Sequence, residues 1–224
     1  MNRLAYDPTC RLYLPLWMKD GATFMSDDAY GHLVTATGSI WGLQGRNFDG
    51  DDFLDVPDND VLSFGDSLTD SPFSMASWVY INNSNRSDPI TKGTTTAREY
   101  MLVVDATTRI VNFLCYDEIG SVNIGKSTDA GIANNAWSLI GGTYDGSSSA
   151  NGVTIYVNNT VPAQTNVING VYVAMHNQGS LRIGRFMDSA SYTTGKIGEL
   201  LVLGRQLRPA EIERYYEETK WRWQ

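Results

Sequence analysis

The sequence predicts an all-β sandwich closed by one short carboxyl-terminal helix, in a single domain spanning residues 1–224. Short runs rich in Val, Ile, Tyr, Phe and Trp recur between clusters of Gly, Asn, Asp and Ser, which is the spacing of a sandwich or barrel. Helical periodicity is confined to the carboxyl end. Strands do not alternate with helices, which excludes Rossmann, P-loop and α/β-hydrolase architectures. At 224 residues the chain is long enough for one generous β core, and no linker or long repeat divides it.

The strand runs are, in order, RLYLPLWM, HLVTATG, FSMASWVYIN, EYMLVVD, RIVNFLCYD, WSLIGGTYD, GVTIYVNN, SLRIGRFM and KIGELLVLG. Two hairpins can be placed. The strand ending at Asp105 returns from Arg109 through Ala106, Thr107 and Thr108, and the strand Val153 to Val157 turns at Asn158-Asn159, where Asn tolerates positive φ. From Arg109 to Tyr116, Val111, Phe113 and Cys115 share one face, with Asn112, Leu114 and Tyr116 on the other. Cys115 is then an inert core thiol. The helix begins with Pro209 at its first position and Glu211 and Glu213 in its first turn. Ile212, Tyr215 and Tyr216 form its apolar stripe, and Lys220 and Arg222 suit its negative end.

Charge narrows the function classes. The first 72 residues hold 12 acidic and 4 basic side chains, which accounts for the whole formal net charge of −8. Such a chain does not wrap nucleic acid, which needs a basic face. Asp49, Asp51, Asp52, Asp55, Asp58, Asp60, Asp66 and Asp70 crowd one stretch with no Lys or Arg between them. Carboxylates so dense either stay solvated or collect a hard cation such as calcium, although no EF-hand loop is present. Two cysteines and two histidines leave little for disulfide frameworks or metal clusters. The amino-terminal MNRLAYDPTCRLYLPLW is too interrupted for a secretory signal, so the expectation is cytosolic synthesis without membrane insertion, compatible with a virion or extracellular location after release.

Two catalytic motifs are read as decoys. Gly120 to Ser127 matches G-x-x-x-x-G-K-[ST], but TDAGIANNAW follows where a phosphate-binding helix would have to run. Phe64-Gly65-Asp66-Ser67-Leu68-Thr69 is similar to the nucleophile block of GDSL-type esterases, yet neither His32 nor His176 stands in an Asp-x-x-His pair, and a serine without its base is a weak nucleophile.

Three longer segments carry a resemblance: GRNFDGDDFLDVPDNDVLSFGDSLTDSPFSMASWVYIN, WSLIGGTYDGSSSANGVTIYVNN and SLRIGRFMDSASYTTGKIGELLVLGRQLRPAEIERYYEE. In that order they resemble the successive blocks of laminin G-like domains of the concanavalin A-like lectin/glucanase superfamily. The resemblance implies a jelly roll of two antiparallel sheets and makes FGDSLT the loop before the FSMASW strand. Glucanases of the superfamily carry an E-x-D-x-[x]-E strand, and none of the seven glutamates here has that company, so the chain is expected not to be an enzyme. Many relatives hold calcium between the F-D-G turn and a late G-x-I-D-E strand. Here Asp49-Gly50 matches the first part, and Gly198 replaces the late Asp before Glu199. Asp49, Asp51, Asp52 and Glu199 are the expected calcium ligands.

The expected function is non-catalytic carbohydrate binding, with a glycan or polysaccharide as partner and Asn112, Tyr116, Asp188 and Tyr192 as ligand-binding candidates on loops or the open sheet face. Trp78, Trp137 and Tyr156 are assigned to packing, and Tyr215 and Tyr216 to helix docking. A structural role stays open beside it, as a phage virion decoration or tail-associated subunit or a surface adhesin module, with itself or virion proteins as partners. No organic cofactor is expected.

Overall fold

A computed structural model describes residues 3–82, 86–117, 122–176 and 179–223. Its strands are β1 Cys10–Pro15, β2 Thr23–Met25, β3 Leu33–Thr37, β4 Ile40–Gly42, β5 Gly45–Asp49, β6 Phe53–Val56, β7 Phe73–Ile81, β8 Ser87–Gly93, β9 Arg98–Val104, β10 Val111–Asp117, β11 Val122–Thr128, β12 Ala136–Tyr144, β13 Val153–Val157, β14 Gln164–Asn169, β15 Leu181–Ile183 and β16 Thr194–Leu203, followed by helix α1 Pro209–Thr219. All pairings are antiparallel. One sheet has seven strands in the order β13-β12-β7-β16-β5-β4, with β1 also paired to β16; the other has nine, in the order β14-β11-β10-β9-β8-β15-β6-β3-β2. This is the jelly-roll sandwich the sequence predicts. Among the described residues no helix is long and apolar enough to cross a membrane.

Strand β7 shows how the sequence builds two layers. Phe73, Met75, Val79 and Ile81 enter the core between the sheets, while Ala76 and Trp78 point out under the helix. Period-two alternation with both faces covered makes the strand apolar on each side. Phe73 is the hub of the inner core, its ring 4.4 Å from Phe64, 5.1 Å from Tyr100 and 5.4 Å from Phe113. The β9–β10 hairpin closes Val104 against Val111. Cys115 is buried, and burial drives its thiol well above the ordinary range. The Asn158-Asn159 turn is present with Asn158 at φ 56, but it closes only the Val157–Thr160 bridge. The chain then crosses to the other sheet as β14, against β11.

Helix α1 starts at Pro209, with the Glu211 carboxylate accepting the Arg208 N–H at 2.8 Å. Ile212 and Tyr215 are buried against the outer face of the seven-stranded sheet, beside Trp78, Leu201 and Trp223. Arg205 clasps Asp7 and Glu211 at 2.7 Å each, tying the amino-terminal segment to the helix start.

The described part of the P-loop pattern leads into a strand, not a helix. Gly120 and Ser121 lie outside the described residues, and Val122 to Ser127 run inside β11, whose backbone pairs with β10 and β14.

Strand β8 buries charge. The Lys92 ammonium is sealed between Glu99 at 2.8 Å and Asp58 at 2.9 Å. Asp88 is fully buried; Arg86 donates to its Oδ1, while Oδ2 has no hydrogen-bond partner among the described residues. Burial pushes this carboxyl up to about 6, against the pull of Arg86. A raised folded-state pKa means the native state holds the proton more tightly than the unfolded chain, so this group's contribution is complete below about pH 4 and is lost as pH rises through 6. In chemical denaturation, Asp88→Asn is expected to remove a fall of up to roughly 3 kcal/mol between pH 4 and 7. An identical slope in the variant would disprove the assignment.

Candidate functional site

The two ends of the chain build a groove beside the seven-stranded sheet. The 3-10 turn Arg3–Tyr6, the end of β1, the loop at Asp27 and Asp28, and the residues after α1 enclose about 490 Å³. Tyr6, Met18 and Trp221 line it and are 70%, 58% and 67% exposed, a degree of apolar exposure that packing does not require. Trp17 and Arg222 form its floor. The Arg222 guanidinium stacks on Trp17 at 3.8 Å and on Trp221 at 4.6 Å, so it is held between two indoles.

Glu199 fixes that floor from below. Its buried carboxylate accepts the Tyr215 hydroxyl at 2.9 Å, Arg222 Nη1 at 3.1 Å and Trp17 Nε1 at 3.3 Å. Burial raises its pKa, and these donors, together with the Tyr13 side chain, oppose that rise. Neighbouring Gly198 is required by contact: a Cβ there would lie 2.2 Å from the Trp223 ring.

Carboxylates edge the groove. Asp28 accepts the backbone N–H groups of Tyr13 and Tyr30 at 3.0 and 2.9 Å, Asp27 pairs with Lys19, and Glu218 faces Arg3 at 3.6 Å. Flat apolar rings beside fixed acceptors can hold a molecule that has an apolar face and a hydroxylated edge.

Three of the four expected calcium ligands stand together. Asp49, Asp51 and Asp52 bring one oxygen each to within 4.8 Å of one another. Asp49 and Asp51 are exposed, while Asp52 is buried and accepts the Asp49 N–H at 3.0 Å. Burial, with the Asp49 and Asp51 charges adding, raises the Asp52 pKa against that hydrogen bond. Glu199 is not the fourth member. Asp49 pairs with Thr194 in the ladder, and Glu199 sits five residues further along β16, roughly 15 Å away at strand rise, with its oxygens already committed.

The predicted sugar ligands divide. Tyr116 is 3% exposed, packed with Met101, Val103 and Leu114 under Phe186, and the Arg98 guanidinium lies over its ring at 5.3 Å; it is a packing residue, not a platform. Asn112, on the same face, is half-buried and accepts the Ser127 hydroxyl at 2.5 Å. Asp188 and Tyr192 share the loop before β16, where Arg185 covers the Tyr192 ring at 5.2 Å and Asp188 accepts the Thr95 N–H. None of the four lines the groove between the chain ends. The groove residues escaped the sequence reading because Tyr6 and Trp221 stand far apart in the chain and belong to no strand pattern. The signal available was WRW, two indoles beyond the end of the apolar stripe.

The profile of a laminin G-like family, described as the concanavalin A-like lectin/glucanases superfamily, matches residues 48–213. The chain belongs to this family. Among solved structures, this laminin G-like domain is similar to Trypanosoma rangeli sialidase in complex with sialic acid, at 13% identity and TM-score 0.67, over 96% of this chain and 34% of that one. It is also similar to the botulinum neurotoxin serotype D binding domain, at 12% identity and TM-score 0.63, over 94% and 52%. The chain thus spans about a third to a half of those structures, and the likeness shows the fold alone. A comparison with curated proteins finds no match. Tyr6, Trp17, Glu218 and Trp221 all fall outside the matched segment.

Proposed function

We propose that the domain binds carbohydrate, without catalysis on it, in the groove between the chain ends. The supporting observation is the juxtaposition there of exposed Trp221 and Tyr6 with the acceptors Asp27 and Glu218. An aromatic ring covers the C–H face of a pyranose, and carboxylates take its hydroxyl protons. The groove carboxylates already hold cations or backbone donors, which suits gripping hydroxyls rather than protonating a leaving group. The fold-level likeness to a sialidase solved with sialic acid and to a neurotoxin binding domain agrees with a sandwich that presents a ligand.

Calcium at Asp49, Asp51 and Asp52 is the second part of the proposal. The three carboxylates supply half or less of the six to eight oxygens that calcium takes, so backbone carbonyls and water would complete the shell. A cation there would relieve the repulsion from Asp49 and Asp51 that adds to burial in raising the Asp52 pKa.

A glycan array run in calcium and in EDTA tests both parts. Saccharide binding is expected, reduced about tenfold or more in Trp221→Ala, as for loss of one anchoring side chain. Absence of binding in both buffers overturns the lectin reading. In parallel, calcium at a hundred times its dissociation constant is expected to add about 2.7 kcal/mol and several degrees to the melting temperature, an effect lost in Asp52→Asn. Identical melting in calcium and EDTA removes the metal.

A further inference from the structure

The serine whose base the sequence could not supply has one in space. Ser67 Oγ lies 2.9 Å from His176 Nδ1, and His176 Nε2 lies 3.4 Å from Asp117 Oδ1. The three residues come from the loop before β7, the segment after β14 and the end of β10, so no spacing in the chain announces them. We propose that Ser67, His176 and Asp117 form a nucleophilic relay that acts on small activated carboxylic esters, independently of the groove.

Each member is held in place. Ser67 adopts φ 74, a left-handed conformation unusual outside glycine, and such backbones persist where their surroundings dictate them. Its N–H donates to the Met175 carbonyl at 3.0 Å. Gly65 packs so closely on that segment that a Cβ would lie 2.4 Å from the Met175 oxygen. The segment carrying His176 is itself tied down. The half-buried Asp70 carboxylate accepts the Met175 N–H at 2.8 Å, the Tyr172 hydroxyl at 2.6 Å and the Tyr144 hydroxyl at 2.7 Å. Asp117 Oδ2 accepts the Val173 N–H at 2.7 Å, which aims Oδ1 at the imidazole. Ser67 remains exposed, while the imidazole and carboxylate side chains are 20% and 15% exposed.

With Asp117 beside Nε2, the neutral imidazole carries its proton there and leaves Nδ1 to accept from Ser67. Ser67 Oγ attacks the ester carbonyl, forming the Oγ–C bond as its proton passes to Nδ1. Collapse of the tetrahedral adduct breaks the bond to the leaving alkoxide, which takes that proton. Water then attacks the acyl-serine, giving its proton to Nδ1, and the acid departs as the proton returns to Ser67 Oγ. The sum is ester plus water to acid plus alcohol.

Stabilisation of the oxyanion is what the loop lacks. The N–H groups of Ser67, Leu68 and Thr69 already donate to Met175 O and Asp66 Oδ1. Loss of one such donor costs a dedicated hydrolase about 10²–10³-fold. Turnover is therefore expected to be slow and confined to esters with good leaving groups.

The test is stoichiometric labelling by a fluorophosphonate, read by peptide mass spectrometry, together with p-nitrophenyl acetate hydrolysis. Label on Ser67 is expected, reduced at least tenfold in His176→Gln, with ester turnover falling in parallel and disappearing in Ser67→Ala. Because the left-handed backbone favours glycine, Ser67→Gly serves as a second nucleophile-free variant that keeps the loop. Labelling of another residue, equal labelling in His176→Gln, or turnover that survives both Ser67 variants overturns the relay. None of these readouts depends on saccharide binding.

Discussion

Glu199→Ala is expected to lower the stability of the domain by about 3–5 kcal/mol, the cost of deleting one partner of a buried charge pair. Three donors lose their acceptor at once: Arg222, the Tyr215 hydroxyl and Trp17 Nε1. At about 2–4 °C per kcal/mol for a chain of this size, the melting temperature should fall by roughly 6–20 °C. Glu199→Gln, which keeps an acceptor and loses only the charge, should fall less. The response to calcium should survive both changes, because the residue stands apart from Asp49, Asp51 and Asp52. A calcium effect abolished by Glu199→Gln alone would restore it as a metal ligand. Saccharide binding should weaken with the alanine variant, since the indole–guanidinium floor loses its anchor.

The second large effect is expected at Lys92. Its ammonium is fully buried between Glu99 and Asp58 and also donates to the Gly179 carbonyl at 3.0 Å. Lys92→Met leaves Glu99 buried without its cation, again at a cost of about 3–5 kcal/mol. Burial already pushes Glu99 up to about 7, with Lys92 holding it down. Removing Lys92 raises it further, so the native state binds the Glu99 proton over a wider range and stability falls as pH rises from about 4.5. The penalty measured by denaturation should accordingly be larger at pH 8 than at pH 5. A pH-independent penalty would show that Glu99 does not carry it.

These two residues also mark where the sequence was legible. Strand β7 and helix α1 could be read because apolar side chains recur at the periods of their elements and Pro209 punctuates the helix start. Strand β8, SDPITKG, could not. All seven of its residues are buried, and Ser87, Asp88, Thr91 and Lys92 among them have a polarity that resembles a loop until their partners on other strands are known, while Pro89 falls where the pairing with β9 is irregular. Strand β11 was hidden behind a phosphate-loop pattern for the same reason. The acidic triad was visible because its members are neighbours in the chain. Glu199 looked like a fourth ligand because a family motif assigns roles by order, whereas the indole of Trp223 beside Gly198 and the guanidinium of Arg222 reassign it. Tyr116 alternated correctly onto the outer face, yet Phe186 and Arg98 cover that face. Tyr6 and Trp221, like Ser67 and His176, meet only through the closed sandwich.

The pairing of β1 with β16 has a mechanical consequence. Cys10 lies opposite Leu203, so the strands leave the ladder on the same side, one toward each end of the chain. Tension applied between those ends would first strip the docked residues after Leu203, with the Arg222 pair to Glu199 and the Arg205 clasp on Asp7, and then pull along the hydrogen bonds of the β1–β16 ladder rather than across them, parting its rungs one at a time. Such a geometry unzips at low force. A load carried through both ends would thus peel away the groove's walls while the nine-stranded sheet stays whole.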